Sequence, residues 1–195
     1  MDDLRLGVAV TPMLRHVPNF LTALRLCAAP LTAYLILSGI DGGALAVFAF
    51  AGLSDALDGY LARRLSLNSR FGAYLDPAAD KLLMLASFVT LTMMHAVPFW
   101  LTALVIGRDI AIVACVGLAW LLAIPLRIAP LLIGKASTVV QVAFIALVLL
   151  LRAIDIDNPQ AVEVAVLATA AVTLASWLAY GQLWFRAMAL GRRPA

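Results

Sequence analysis

Residues 44–94 read ALAVFAFAGLSDALDGYLARRLSLNSRFGAYLDPAADKLLMLASFVTLTMM. Two apolar runs, each near the ~20 residues that cross ~30 Å of hydrocarbon, flank a short connection rich in arginine. Each run carries two aspartates near the end that adjoins this connection. Ionisable side chains are costly inside a membrane and indicate a functional site by default. The stretch therefore predicts two consecutive spanning helices with acidic groups close to one membrane surface.

The rest of the chain has the same apolar character. Of its 195 residues, 64% are hydrophobic and 13% are charged, whereas soluble domains are about half apolar and about a quarter charged. Because lipid offers no partner for exposed backbone groups, the spans must be helices. We predict an all-α, polytopic membrane protein with six transmembrane helices. The predicted spans are 19–38, 44–65, 71–94, 98–123, 134–152 and 161–185.

Turn-forming residues separate the predicted spans. Segment 38–43 is rich in glycine and predicts a tight turn. Pro98 can open the fourth helix, and segment 155–159, which ends in proline, separates the fifth span from the sixth.

Three regions follow from this division of the chain. Residues 1–17 alternate apolar and polar positions and predict a short interfacial helix. We expect residues 18–186 to form a six-helix transmembrane domain that carries the acidic site, and residues 187–195 to form a cytoplasmic tail. The acidic start, which lacks an apolar core segment, predicts no cleaved signal peptide.

Lysine and arginine are distributed unequally between the two ends of the spans. The far side holds Arg152. The other side holds Arg5, Arg15, Arg63, Arg64, Arg70, Arg127, Lys135, Arg186, Arg192 and Arg193. The positive-inside rule therefore places both termini, and the active site, on the cytoplasmic side of the cell (inner) membrane. Anionic lipid headgroups account for the net charge of +3, so we expect membrane lipids and no nucleic acid as partners.

The four aspartates predict a metal site. Asp55 and Asp58 are three residues apart, and Asp76 and Asp80 are four apart, so each pair shares a helix face. At 1.5 Å per residue, Asp58 and Asp76 lie roughly 8 Å below the surface, and the other two lie roughly 14 Å below it. Four close carboxylates need a compensating charge. Their hard oxygen ligands favour Mg²⁺ or Mn²⁺, and the lack of His or Cys among them argues against zinc.

Small and basic residues lie between the two acidic pairs. Gly59, Ala62 and Gly72 allow either close helix packing or close approach of a nucleotide or diphosphate. The guanidinium of Arg63 can extend to the membrane surface or bind phosphate.

The spacing D-x-x-D-G-x-x-A-R-x8-G-x3-D-x3-D, from 55 to 80, resembles the signature of the CDP-alcohol phosphatidyltransferase family in every fixed position. The resemblance implies transfer of a phosphatidyl group from CDP-diacylglycerol to an alcohol, with release of CMP, and a homodimer. It also implies a role for each residue of the signature. Asp55, Asp58 and Asp76 would hold divalent metal, Asp80 would complete the acidic set and act as general base, and Gly59, Ala62, Arg63 and Gly72 would contact CDP.

Polar residues outside the signature are further candidates for substrate binding. Asn19 and Thr22 can cap the first helix or contact the diphosphate. Arg25 can bind phosphate or pair with an aspartate. Arg108 and Lys135 can together bind an acidic acceptor. Alternatively, Arg108 pairs with the adjacent aspartate and Lys135 contacts headgroups.

Three further segments resemble the glycerophospholipid branch of the family, which includes phosphatidylglycerophosphate synthases and cardiolipin synthases that use CDP-diacylglycerol. They are 76–81, 107–109 and 134–141. The pair Arg108-Asp109, with Cys115 where many phosphatidylglycerophosphate synthases have a second arginine, resembles cardiolipin synthases more closely. The resemblance therefore favours phosphatidylglycerol over glycerol 3-phosphate as acceptor.

A different class of function is an ion-coupled transporter that uses the intramembrane aspartates. It would require charged residues along a path to both membrane faces. The outer halves of the predicted helices contain almost none.

Overall fold

The computed structural model describes residues 17–65, 72–121 and 132–191. Within these ranges the chain forms six α-helices and no strand, which confirms the all-helical prediction for this part of the protein. The predicted interfacial helix over 1–17 lies outside the described residues, apart from Val17. The helices are α1 (Val17–Leu37), α2 (Asp41–Leu65), α3 (Gly72–Met93), α4 (Phe99–Leu121), α5 (Leu132–Ala153) and α6 (Pro159–Gly191).

The turn between α1 and α2 is shorter than the predicted segment 38–43. It ends before Asp41, so the prediction that it continues through residues 41–43 is wrong. Gly39 ends α1 with φ of 71°, a left-handed conformation that glycine adopts without a steric penalty. The Ile40 amide donates to the carbonyl of Leu35 at 2.9 Å, which closes the helix end. Helix α2 then begins at Asp41, whose negative charge suits a helix N-terminus, so the two following glycines lie inside the helix.

Helix α6 has a clear start and is longer than predicted. Its first residue is Pro159, and Oδ1 of Asn158 accepts a hydrogen bond from the Ala161 amide at 3.1 Å. The helix continues to Gly191, beyond the predicted end at 185, because no glycine or proline interrupts residues 182–190. Residues 187–191, which were predicted to belong to the tail, therefore extend the helix.

The described helices bury polar side chains together with an apolar core, and they expose large apolar side chains. Thr32, Ser87 and Gln141 are almost fully buried, whereas Phe99 and Leu132 are largely exposed. Extensive apolar exposure together with buried polar groups is typical of helices that face lipid. In the described part of the chain, α5 over Leu132–Ala153 and α6 over Pro159–Phe185 are long and apolar enough to cross a membrane.

Helix α1 has the most extensive contacts with its neighbours, because it packs against both α2 and α3. Helix α5 contacts α2 and α6, and α6 also contacts α4. The sequence predicts a hairpin in which α2 and α3 face each other, but in the described residues α1 is the helix that joins them. The Phe88 and Phe144 rings stack with centroids 5.9 Å apart, which brings α5 against α3 as well.

Candidate active site

Asp80 on α3 is the one residue of the acidic signature whose side chain the structure describes. It lies eight residues after the start of the helix, which is about 12 Å along the axis. Its Oδ1 accepts a hydrogen bond from Nη1 of Arg25 on α1 at 2.9 Å. The Arg25 side chain is 2% exposed and that of Asp80 is 43% exposed. Of the two roles predicted for Arg25, the structure has the contact with an aspartate.

Asp109 on α4 joins two cations. Its Oδ2 pairs with Nζ of Lys81, and its Oδ1 accepts a hydrogen bond from Nη1 of Arg108 at 2.8 Å. Lys81 directly follows Asp80 on α3, so this chain of ion pairs begins beside the candidate base. A buried or partly buried charge is stable in such a place when it is paired and hydrogen-bonded.

Arg108 holds three helices together. Its Nη2 donates to Ser176 Oγ on α6 at 2.9 Å and to the Gly134 carbonyl on α5 at 3.5 Å. Its guanidinium carbon also lies 5.7 Å from the ring centroid of Tyr180. The side chain is buried, so most of its donors serve the protein itself. The structure therefore shows the predicted alternative in which Arg108 pairs with Asp109.

These residues surround a polar cavity of about 260 Å³. Lys135 is exposed and forms no ion pair with any described residue, so its ammonium group can bind an anion. The Tyr180 hydroxyl lies at the same cavity and is a second possible donor. The lining consists of Lys81, Arg108, Asp109, Ile112, Val113, Gly134, Lys135, Thr138 and Tyr180.

Helix α6 also contributes to this cavity, through residues that belong to none of the predicted site motifs. Thr169, Thr173, Ser176 and Tyr180 recur at intervals of three or four residues in an otherwise apolar helix. Such spacing puts polar groups on one helix face. Below the cavity, the buried Gln141 on α5 donates to Thr173 Oγ1 at 3.3 Å, which ties this face to α5. A search for polar residues at helical spacing could have found it.

Most of the predicted signature residues have side chains outside the described part, and their roles stay predictions. The backbone places Asp55, Asp58, Gly59, Ala62 and Arg63 on α2, Gly72 and Asp76 on α3, and Asn19 and Thr22 on α1. The described side chains contain no group of three His, Cys, Asp or Glu residues close enough to hold a metal ion.

The sequence model of the CDP-alcohol phosphatidyltransferase family matches residues 15–180. The chain belongs to this family. The resemblance inferred from the signature is thereby confirmed, and the helices described above are those of a CDP-alcohol phosphatidyltransferase, a family of membrane-integral enzymes.

Curated relatives of this CDP-alcohol phosphatidyltransferase include proteins with two different names. It is 43% identical over 108 residues to cardiolipin synthase (CMP-forming) of Streptomyces coelicolor, which covers 52% of this chain and 50% of that protein. It is 42% identical over 115 residues to human cardiolipin synthase (CMP-forming), a match that covers 56% of this chain and 38% of that protein. It is 45% identical over 105 residues to CDP-diacylglycerol–glycerol-3-phosphate 3-phosphatidyltransferase of Pseudomonas fluorescens. This match covers 51% of this chain and 53% of that protein. The match thus spans about half the length of these relatives, or less.

Gly134 permits the close approach of α5 to Arg108 and Tyr180. A Cβ at this position would lie 2.7 Å from Tyr180 Oη and 3.1 Å from Arg108 Nη2. We expect Gly134→Ala to lower the free energy of unfolding by about 1–3 kcal/mol, because the added methyl overpacks the site. Tyr180→Phe in the same chain should recover part of this loss, since it removes the nearest atom.

Thermal unfolding of the purified variants in detergent measures this effect. Gly117→Ala is the matched control, because a Cβ at Gly117 would have no neighbour within 4 Å. Equal unfolding temperatures for Gly134→Ala and Gly117→Ala would show that the Gly134 contact has no energetic importance.

Proposed function

We propose that this chain transfers the phosphatidyl group of CDP-diacylglycerol to the free hydroxyl of phosphatidylglycerol, with release of CMP. The position of Asp80 carries the proposal. Its carboxylate is oriented by the buried Arg25, and the next residue, Lys81, lines the polar cavity. Asp80 adjoins a residue of this cavity in sequence, and general base catalysis requires the acceptor hydroxyl to come within hydrogen-bond distance of the Asp80 carboxylate.

The reaction follows from these positions. The Asp80 carboxylate accepts the proton of the acceptor hydroxyl, and the resulting oxygen nucleophile attacks the phosphorus that bears diacylglycerol. The bond from this phosphorus to the oxygen of the CMP phosphate then breaks, and CMP leaves. Arg25 keeps the carboxylate oriented throughout and compensates its charge in a region of low dielectric.

The acidic signature supports a divalent metal cofactor, Mg²⁺ or Mn²⁺. Asp55, Asp58 and Asp76 would hold the metal, with Asp80 completing the set, because carboxylate oxygens are hard ligands that suit both ions. The 43% exposed fraction of the Asp80 side chain is compatible with ligand access. When bound, the metal would neutralise charge that develops on the phosphoryl oxygens and on the leaving CMP.

Charge and relationship support an acidic lipid as acceptor. Lys135 and Tyr180 supply a cation and a hydroxyl at the polar cavity, which suit the phosphate of phosphatidylglycerol. Two of the relatives described above are named cardiolipin synthase (CMP-forming). Glycerol 3-phosphate is the second candidate acceptor, because its phosphate suits the same groups and the Pseudomonas fluorescens relative is named for it.

The remaining parts of the proposal concern the nucleotide and the membrane. The CDP moiety would lie against the cytoplasmic ends of α1, α2 and α3. All six helices would cross the cell membrane with both termini in the cytoplasm, as the distribution of lysine and arginine supports. Two copies would form a homodimer, as the family resemblance implies. The residues that would contact CDP are Asn19, Thr22, Gly59, Ala62, Arg63 and Gly72.

The acceptor is tested with purified protein that receives CDP-diacylglycerol together with equal amounts of phosphatidylglycerol and glycerol 3-phosphate. We expect cardiolipin and CMP as the main products, measured by lipid mass analysis and nucleotide chromatography. Phosphatidylglycerophosphate as the main lipid product would support the second candidate. Failure to release CMP with either acceptor would contradict the proposed reaction.

The role of Asp80 is tested by Asp80→Asn. We expect CMP release to fall by about 10²–10⁴-fold while CDP-diacylglycerol binding persists, because a base is lost and three signature carboxylates remain. Thermal unfolding is measured in parallel, since Arg25 loses its charged partner. Asp157→Asn, an exposed position on the opposite side of the predicted membrane, is the control and should keep full activity. CMP release by Asp80→Asn within a few-fold of the unchanged protein would refute the base assignment.

A further inference from the structure

A second cavity adjoins the polar one, and we term it the α3–α4 groove after the helices that line it. Its volume is about 460 Å³. Lys81, Asp109 and Val113 line both cavities, so the two are neighbours at the level of the Lys81–Asp109 ion pair. Below this ion pair the lining is apolar and consists of Met84, Leu85, Phe88, Val105, Ile106 and Ile110.

The groove lies on a different face of α3 from the candidate base. Asp80 contacts α1 through Arg25, and Leu83, three residues further along, is buried. Lys81 and Leu85 are four residues apart, so they share the groove face, and both are exposed. An acyl chain in the groove therefore does not contact Asp80, and the acceptor headgroup reaches that carboxylate only by extending past Lys81.

The two ends of the groove differ in chemistry. At one end Lys81 has an ammonium group with three donors, and Asp109 takes one of them, so two remain for an anion. From Lys81 to Phe88 the groove then runs for seven residues, or about 10 Å, between hydrocarbon side chains. The matching ligand has an anionic head and a hydrocarbon tail.

From these observations we infer that the α3–α4 groove binds an acyl chain of the acceptor phospholipid. The inference rests on the proposed function and specifies its substrate class. With one acyl chain in the groove, the glycerol headgroup of phosphatidylglycerol enters the polar cavity, and its phosphate lies near Lys81 and Lys135. Glycerol 3-phosphate has no tail and gains nothing from the groove, so the groove discriminates a lipid acceptor from a water-soluble one.

Bulky substitutions in the groove test the inference through kinetics. Leu85→Trp and Ile106→Trp fill the groove, and Leu178→Trp on α6 is the control, because Leu178 is exposed and lines neither cavity. We expect the KM for phosphatidylglycerol to rise about tenfold in the two groove variants, because the indole side chain excludes the acyl chain from the groove. The KM for CDP-diacylglycerol should stay unchanged, which also shows that the variants are folded.

The acyl chains of the acceptor provide a second readout. The unchanged protein should convert phosphatidylglycerol faster than its deacylated form, glycerophosphoglycerol, and the groove variants should lose this preference. An equal increase in the KM values of donor and acceptor, or no increase in either, would overturn the inference.

Photo-crosslinking tests occupancy independently of turnover. Phosphatidylglycerol with a diazirine in one acyl chain is irradiated with the purified protein, and labelled peptides are mapped by mass spectrometry. We expect labels on α3 and α4 between Leu85 and Ile110, and fewer labels there in Leu85→Trp. Labelling of the groove by a CDP-diacylglycerol probe, with none by the phosphatidylglycerol probe, would overturn the inference.

The crosslinking arm also separates failure of the inference from failure of the proposed function. Groove labelling without cardiolipin formation would retain the lipid site and refute the proposed reaction. Cardiolipin formation without groove labelling would support the proposed reaction and refute the lipid site.

A second copy of this chain is the competing occupant of the groove. This occupant is tested with Ile110→Cys in a chain whose two native cysteines are replaced. Disulfide-linked dimers of this variant would show that a second copy fills the groove and would overturn the inference.

Discussion

The cost of placing charge in hydrocarbon is the constraint on which this structure depends. Four cations of the described helices, Arg25, Lys81, Arg108 and Arg152, each pair with an aspartate. Three of these pairs join different helices: α1 to α3, α3 to α4, and α2 to α5. Because an unpaired ion in lipid costs several kcal/mol, these contacts limit how the helices can be arranged. The apolar helix surfaces alone would not limit the arrangement of the helices, because lipid tails compete equally for these surfaces.

The same constraint supports the proposed position of the chemistry near one membrane surface. Charged groups at modest depth can be compensated by partners, by metal or by phosphate, and each of these serves phosphatidyl transfer. The candidate base has Arg25 on one side, and the next residue along α3 begins the ion-pair chain that leads to the polar cavity. Asp80 and Lys81 are thus consecutive on α3, and the proposed reaction requires the acceptor headgroup to extend from the cavity at Lys81 to the Asp80 carboxylate.

The family and the helices were predictable from the sequence, because the signature has fixed spacing and each span has a composition that lipid requires. The contacts between helices were not predictable from the sequence. The role of α1 in joining α2 and α3 depends on contacts that no periodicity encodes. The close approach at Gly134 depends on Tyr180, 46 positions later in the chain, and the spacing of polar residues on α6 does not indicate which glycine Tyr180 contacts. The early start of α2 was missed because glycine usually ends helices, whereas the charge of Asp41 and its partner Arg152 favour helix there.

The central claim is that the signature carboxylates of α2 and α3 meet in one metal-filled pocket. Electron paramagnetic resonance of purified protein titrated with Mn²⁺ tests it directly. The account predicts bound, carboxylate-coordinated Mn²⁺ in the unchanged chain, binding at least about tenfold weaker in Asp58→Asn and in Asp76→Asn, and full binding in Asp109→Asn, whose carboxylate already pairs with two cations. Absence of bound Mn²⁺ in the unchanged chain, or unaltered binding in both signature variants, would contradict it.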